Sequence, residues 1–163
     1  MVIKGEVTDA LADNENSYIL HAWDMVKIDG KPYYVDLTWD IISSDRNIPR
    51  HDYFNLTDNN MSIKHIVEQG YPACTTKNNN FFVKNDLIAT NKQKLLKIVA
   101  EKIKSGKNFV EVKLDSQFFN ENSDSFSIVD NYLRSLTNGT RHYSLRGTEP
   151  SKQSVCDYEW KFK

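Results

Sequence analysis

The sequence predicts an α+β fold in which an antiparallel β-sheet is followed by a small C-terminal α+β subdomain. In the first half, two apolar, aromatic-rich runs are joined at Asp29-Gly30, a dipeptide typical of type I′ hairpin turns. In the second half, apolar residues recur at helical spacing between Leu95 and Ile103, which indicates a helix. They then alternate with polar residues from Phe109 to Leu114, which indicates a strand.

The stretch from His21 to Asp40, HAWDMVKIDGKPYYVDLTWD, predicts both strands of the hairpin. The turn fixes the register and therefore the faces. The residues placed on one face are His21, Trp23, Met25, Tyr34, Asp36 and Thr38, and those on the other are Ala22, Val26, Ile28, Tyr33, Val35 and Leu37. His21 lies opposite Thr38 and diagonal to Asp36, with Cβ atoms roughly 7 Å apart. We expect the His21 imidazole to hydrogen bond the Asp36 carboxylate, directly or through one water.

The remaining elements are short. A candidate domain boundary near Asn85 divides the chain into residues 1–84 and 85–163. Turn-rich or polar stretches from Thr8 to Asn16 and from Ile41 to Arg50 indicate loops. The other predicted strands are Val2–Val7, Tyr53–Leu56, Phe81–Val83, His142–Arg146 and Val155–Phe162. Two longer helices are predicted at Thr90–Ser105 and Phe126–Leu136. A short helix, with its N-cap at Thr57 or Asp58, is predicted to end at Met61.

Length and charge limit the classes of partner. The chain has 163 residues and a formal net charge of −1, which argues against electrostatic attraction to nucleic acid or to an anionic membrane. No apolar run approaches the roughly 18 residues of a membrane helix, and the charged opening MVIKGEVTDA does not resemble a signal peptide. We expect no nucleic-acid partner and no membrane span.

An imidazole beside a carboxylate is the orienting half of a nucleophile-base-acid triad. The carboxylate fixes the tautomer of the imidazole and stabilises its charged form, while the imidazole activates a Ser or Cys nucleophile. From the residues alone, a structural His–Asp pair within the sheet remains the alternative to such a site.

The hairpin sequence resembles the His and Asp motifs of the transglutaminase-like superfamily, papain-like thiol enzymes with a Cys-His-Asp triad. Bacterial members carry a pattern close to H-A-W-N, then D-G-K-x-Y, then V-D-x-T-W-D. The segment from Tyr53 to His65, YFNLTDNNMSIKH, resembles the one that follows in this group. The resemblance covers about the first half of the chain and implies that residues 1–84 are the C-terminal half of a truncated catalytic domain.

The resemblance also implies a role for each matching residue. His21 is the triad base, Asp36 is its carboxylate, and Trp23 is a wall beside the imidazole at the substrate site, with Trp39 in the core. The chain departs from the pattern at Asp24, where Asn is usual. It also lacks the family's nucleophile, a Cys at the start of a helix upstream of the His, because no Cys precedes His21.

Neither cysteine of the chain has the features of a nucleophile. Cys74 follows His21 and Asp36, whereas the family order is Cys, His, Asp, and its surroundings YPACTT indicate a loop or core position. Cys156 alternates with aromatic residues in a predicted strand, so we expect a buried small apolar residue.

A metal site is a further possibility that the sequence does not favour. The residues of ligand type are His21, His51, Asp52, His65 and His142. They show none of the short spacings that are typical of zinc motifs, so we expect no metal and no cofactor.

Two classes of function follow. The first is a fragment of a thiol acyltransferase or peptidase acting on Gln, Asn or peptide bonds of a protein or peptide substrate. The second is a non-catalytic transglutaminase-like binding module. By resemblance, the parent is a secreted or surface protein of a bacterium. A helix starting at Cys upstream would favour the enzyme, and Ser or Ala there would favour the module. We expect this chain alone to be inactive.

The predicted site lies on a face that also carries Trp23, Met25 and Tyr34. Burying a side chain of that size contributes roughly 1.5–3 kcal/mol, so leaving three in water would cost a large part of a typical domain's stability. We expect this face to be covered by a second copy, in a twofold homodimer, or by a segment of the chain itself, for which the C-terminal half is the better candidate.

Overall fold

The computed structural model describes residues 1–8, 18–43, 50–121, 124–137, 143–147 and 155–162. The chain forms two units, Met1–Lys84 and Asn85–Lys163. Both contain helices and a β-sheet, so the α+β class is confirmed. Among the described helices, none has the length and apolar character required to cross a membrane.

The first unit is built on a five-stranded antiparallel sheet. Its strands, in chain order, are β1 (Val2–Thr8), β2 (Tyr18–Ile28), β3 (Lys31–Val35), β4 (Phe54–Leu56) and β5 (His65–Val67). Their order in the sheet is β4-β3-β2-β1-β5, so β2 is the central strand and β1 is an interior strand beside it. The described residues of this unit also form short helices: α1 (Leu37–Ser43), α2 (Asp58–Met61) and α3 (Phe81–Lys84).

The hairpin turn has the predicted geometry. Asp29 and Gly30 both have positive φ, at 49° and 76°, as a type I′ turn requires. Met25 pairs with Tyr34 across the ribbon, so the predicted register is confirmed. The predicted loop from Thr8 to Asn16 lies outside the described residues, except for Thr8, which ends β1.

The prediction that the second hairpin strand continues to Asp40 is wrong. The strand β3 ends at Val35, and α1 begins at Leu37. Asp36 acts as the N-cap of this helix, because its Oδ1 accepts the backbone N–H of Trp39 at 3.1 Å. Thr38 therefore lies in a helix and does not face His21 across the sheet.

The elements that follow are partly as predicted. Thr57 caps α2 through its side chain, which confirms the predicted helix ending at Met61. The predicted strand Phe81–Val83 is wrong, because these residues form α3. Asn80 explains the difference: its Oδ1 accepts the backbone N–H groups of Phe82 and Val83, which favours a helical turn.

The apolar face beside His21 is covered from within the same unit. Trp23 and Met25 are only 3% and 5% exposed, and the residues that bury this face form one core: Ile3, Val7, Tyr34, Tyr53, Leu56, Met61 and Cys74, with Trp39, Val67 and Tyr71 at its edge. The expectation that a segment of the chain itself covers this face is confirmed, but the preference for the C-terminal half is wrong. Segment 53–74 of the first unit provides the cover, and its short elements give no strong periodic signal in the sequence.

In the second unit, the described residues form a four-stranded sheet and three helices. Its elements are β6 (Ile88–Ala89), α4 (Lys92–Lys104), β7 (Phe109–Leu114), α5 (Ser116–Glu121), α6 (Ser125–Thr137), β8 (Tyr143–Gly147) and β9 (Val155–Phe162). The sheet order is β6-β7-β9-β8. The sequence predicts α4, β7, α6, β8 and β9 but misses β6 and α5, which are two and six residues long.

Candidate functional site

Asp36 is the centre of the candidate site. It stands at the junction between β3 and α1 and is 1% exposed. Its Oδ1 is held by the N–H of Trp39 as part of the helix cap, and its own backbone N–H donates to the carbonyl of Tyr53 at 3.0 Å. Both backbone contacts fix this residue, so the second carboxylate oxygen, Oδ2, points in a defined direction.

The predicted hydrogen bond between His21 and Asp36 is confirmed. His21 lies on β2, opposite Gly5 of β1, and its Nε2 is 2.7 Å from Asp36 Oδ2. The side chain of His21 is 18% exposed, so solvent reaches one part of the ring. The ring of Trp23 lies beside it, with centroids 5.9 Å apart and planes at 28°.

His65 is a site residue that the sequence reasoning did not assign to the pair. It lies on β5, where it is opposite Val7 of β1, and it is 1% exposed. Its Nε2 is 2.9 Å from Asp36 Oδ2, the same oxygen that His21 contacts. The available signal was its place at the end of the segment Tyr53 to His65, which resembles the family segment; from its residue type alone, His65 was only a possible metal ligand.

The hydrogen bonds determine the charge of Asp36. Burial alone would raise the pKa of its carboxyl, but donors from His65, the backbone of Trp39 and His21 outweigh burial and hold this pKa below its usual range. Asp36 is therefore an ionised, buried carboxylate. Burial lowers the pKa of His65, although its hydrogen bond to Asp36 opposes the effect, so His65 is neutral near pH 7.

The three side chains offer ligand atoms that a metal could use. One atom each from His21, Asp36 and His65 lie within 4.8 Å of one another, and two imidazoles with a carboxylate are a common zinc set. In the present arrangement, however, both Nε2 atoms face a carboxylate oxygen and must carry hydrogens. A metal would displace those hydrogens to Nδ1, and in His65 that atom is buried with no partner among the described residues.

The other ligand-type residues of the sequence do not join this cluster. The ring of His51 stacks on Phe81, with centroids 3.6 Å apart. Asp52 accepts a hydrogen bond from Arg50 at 2.6 Å. His142 lies outside the described residues. The cluster of His21, Asp36 and His65 is therefore distinct from these contacts.

Both cysteines are buried structural residues. Cys74 belongs to the core of the first unit and is 0% exposed. Burial, followed by the nearby charge of Asp58, raises the pKa of its thiol to about 11, so it is protonated at neutral pH. Cys156 is 1% exposed in the second unit, where its Sγ is 3.7 Å from Ser125 Oγ. The expectation that Cys156 is buried is confirmed.

Comparisons with known proteins give no family assignment for this chain. Neither the protein-family models nor the curated proteins give a match to this chain.

Proposed function

We propose that residues 1–84 are the His- and Asp-bearing part of a transglutaminase-like thiol acyltransferase or peptidase. The observation that carries the proposal is the 2.7 Å contact between His21 Nε2 and Asp36 Oδ2. It is a pairing of a partly exposed imidazole with a buried carboxylate, which is the orienting pair of a Cys-His-Asp triad. The resemblance of the hairpin to the His and Asp motifs of that superfamily supports the same proposal.

The contact supports Nδ1 as the reactive nitrogen of His21 in this proposal. Because Nε2 donates its hydrogen to Asp36, Nδ1 is the nitrogen that can accept a proton. In the proposed reaction, Nδ1 takes the thiol proton, and the thiolate attacks the carbonyl carbon of a Gln, Asn or peptide amide. His21 then protonates the departing amine, which leaves an acyl thioester. An acceptor amine or water attacks this thioester and releases the thiol.

The supporting residues have distinct roles in this proposal. Asp36 keeps the His21 ring in one orientation and stabilises the imidazolium that forms when the thiol is deprotonated. Trp23 packs beside the imidazole and lines the substrate site. Since Trp23 is 3% exposed, most of its surface contacts protein, and little of it is open to a substrate.

The proposal requires a thiol from polypeptide outside these 163 residues. Cys74 is buried in the core with a raised pKa, and Cys156 is buried in the second unit. A thiolate nucleophile needs the opposite setting, with partial exposure and a neighbouring positive charge or helix N-terminus.

The test uses the native polypeptide that contains these residues. Brief exposure to iodoacetamide at neutral pH, followed by peptide mapping, should label a cysteine outside residues 1–163. His21→Ala should slow this labelling and should reduce amide hydrolysis or transfer by about 10²–10⁴-fold. His51→Ala is the matched control, because that ring stacks on Phe81. Labelling that does not depend on His21 would overturn the proposal.

A second function is favoured by the state of the two cysteines. Since both are buried, residues 1–163 also suit a binding module of transglutaminase-like fold that has lost catalysis. In that case the upstream position of the nucleophile holds Ser or Ala, and a His21→Ala variant leaves binding of a partner protein unchanged.

A further inference from the structure

Three elements hold the Asp36 carboxylate. The helix α1 contributes the N–H of Trp39 to Oδ1. The strands β2 and β5 contribute the imidazoles of His21 and His65 to Oδ2, at 2.7 and 2.9 Å. A triad pair requires only one of these imidazoles, so the second needs an explanation.

The two imidazoles differ in their surroundings. His21 is 18% exposed at its side chain, whereas His65 is 0% exposed. The ring of His65 is enclosed by three aromatic rings, those of Trp23, Tyr53 and Trp39, with centroids 4.8, 5.2 and 5.4 Å away. His65 is therefore a fixed group, while His21 is the one that solvent or a substrate can reach.

The tautomer of His65 follows from its two nitrogens. A carboxylate oxygen offers only lone pairs, so the Nε2 that lies 2.9 Å from Asp36 carries a hydrogen. The other nitrogen, Nδ1, is buried and has no partner among the described residues. A hydrogen there would be a buried donor without an acceptor, on a charged ring, which costs more than a bare lone pair. His65 is thus the neutral tautomer with its hydrogen on Nε2.

We propose that His65 is a positioning residue of this site, whose Nε2–H holds the Asp36 carboxylate in the orientation that accepts the Nε2–H of His21. It acts through Asp36 and does not meet the substrate. The inference rests on the proposed function only where it concerns catalysis. The hydrogen bonds themselves do not depend on turnover. His65 keeps the carboxylate ionised and aligned while the partly exposed His21 accepts and returns the proton of the thiol.

The experiment is a nuclear magnetic resonance titration of the isotopically labelled chain. Imidazole ¹H–¹⁵N correlations report the tautomer of His65 and the solvent exchange of the His21 Nε2–H, and the carboxyl ¹³C signal reports the pKa of Asp36. Two variants separate the roles: His65→Leu removes the donor but keeps an apolar side chain, and His65→Gln places an amide N–H near the position of Nε2. His51→Leu is the matched control outside the cluster.

We expect wild-type His65 to be neutral with hydrogen on Nε2. In His65→Leu, the pKa of Asp36 should shift upward and the His21 Nε2–H should exchange faster. Both should return toward wild type in His65→Gln, and His51→Leu should change neither. If His65→Leu does not fold, the wild-type tautomer and the Gln variant still test the proposal.

Two results would overturn it. One is a wild-type His65 with its hydrogen on Nδ1. The other is a folded His65→Leu or His65→Gln variant in which stability falls but the Asp36 and His21 signals stay as in wild type, which would make His65 a packing residue only. Neither result depends on thiol labelling of the native polypeptide, so failure of the proposed function and failure of this inference are distinguishable.

Discussion

Gly5 lies against the ring of Trp23, and a Cβ at this glycine would be only 2.7 Å from Trp23 Cη2. It would also collide with the backbone carbonyl oxygen of Ile66. Gly5 lies on the interior strand β1, opposite His21 of β2 and Val67 of β5. The missing side chain lets the indole lie over β1 and reach His65, with ring centroids 4.8 Å apart.

We expect Gly5→Ala to lower the free energy of unfolding by about 1–3 kcal/mol, because overpacking a fixed core forces backbone or ring shifts. Gly30→Ala is the matched control: nothing lies within 4 Å of its added Cβ, so only the positive φ opposes it, at about 1–2 kcal/mol. Urea unfolding measures both. Gly5→Ala should also change the ring shifts of His65, whereas the control should not; unchanged His65 signals in Gly5→Ala would contradict this account.

A second prediction concerns acid unfolding. The pKa of His65 is lowered by burial, so the unfolded chain takes up a proton first as pH falls below about 6.5. The stability that neutral His65 contributes is therefore present above that pH and is lost as pH falls through the folded pKa. The pKa of Asp36 is also lowered, because its three donors outweigh burial, so its contribution is lost at lower pH, below about 3.9.

Urea unfolding at a series of pH values measures this effect. His65→Gln cannot titrate, so its stability should fall less steeply than that of wild type as pH drops below about 6.5. The loss below about pH 4 should persist in the variant, since Asp36 remains. Parallel profiles for the two proteins across the upper range would show that His65 is not held neutral in the folded state.

The hairpin was predictable because its signal is local. Asp29 and Gly30 dictate the turn, the turn dictates the register, and the register brings Met25 opposite Tyr34. The contact between His21 and Asp36 follows from that register and was predictable in the same way. The end of the second strand was not, because the sequence from Val35 to Asp40 continues a plausible alternation, and only the capping bond of Asp36 shows that a helix begins there.

The position of His65 was not predictable from local pattern. The strand β5 has three residues, too few for a periodic signal, and its pairing with β1 joins segments about sixty positions apart. The cover over Trp23 has the same origin, since Tyr53, Leu56 and Met61 come from a segment of short elements. Long-range pairing and short elements therefore account for the parts of the site that local sequence pattern does not predict.

A third prediction concerns zinc. The cluster of His21, Asp36 and His65 has the ligand types of a zinc site, but metal binding would leave a buried N–H on His65 without an acceptor. We expect neither chelator nor stoichiometric Zn²⁺ to change the melting temperature appreciably. A rise with Zn²⁺ that is lost in His65→Gln and retained in His51→Leu would instead assign the cluster to a metal.

The last prediction concerns the thiol of Cys74. Its pKa of about 11 lies well above the usual value of about 8.5, so its thiolate fraction near pH 7.5 is lower by roughly 10²-fold or more. Burial at 0% exposure slows attack further. We expect iodoacetamide to label Cys74 of the folded chain at least about 10²-fold more slowly than a free cysteine, and at the same rate in His21→Ala as in wild type.

Cys156 is the internal control, because it is also buried. Urea should expose both thiols and make their rates alike. Fast, stoichiometric labelling of Cys74 that His21→Ala abolishes would make Cys74 the nucleophile and would remove the need for a thiol from outside these residues.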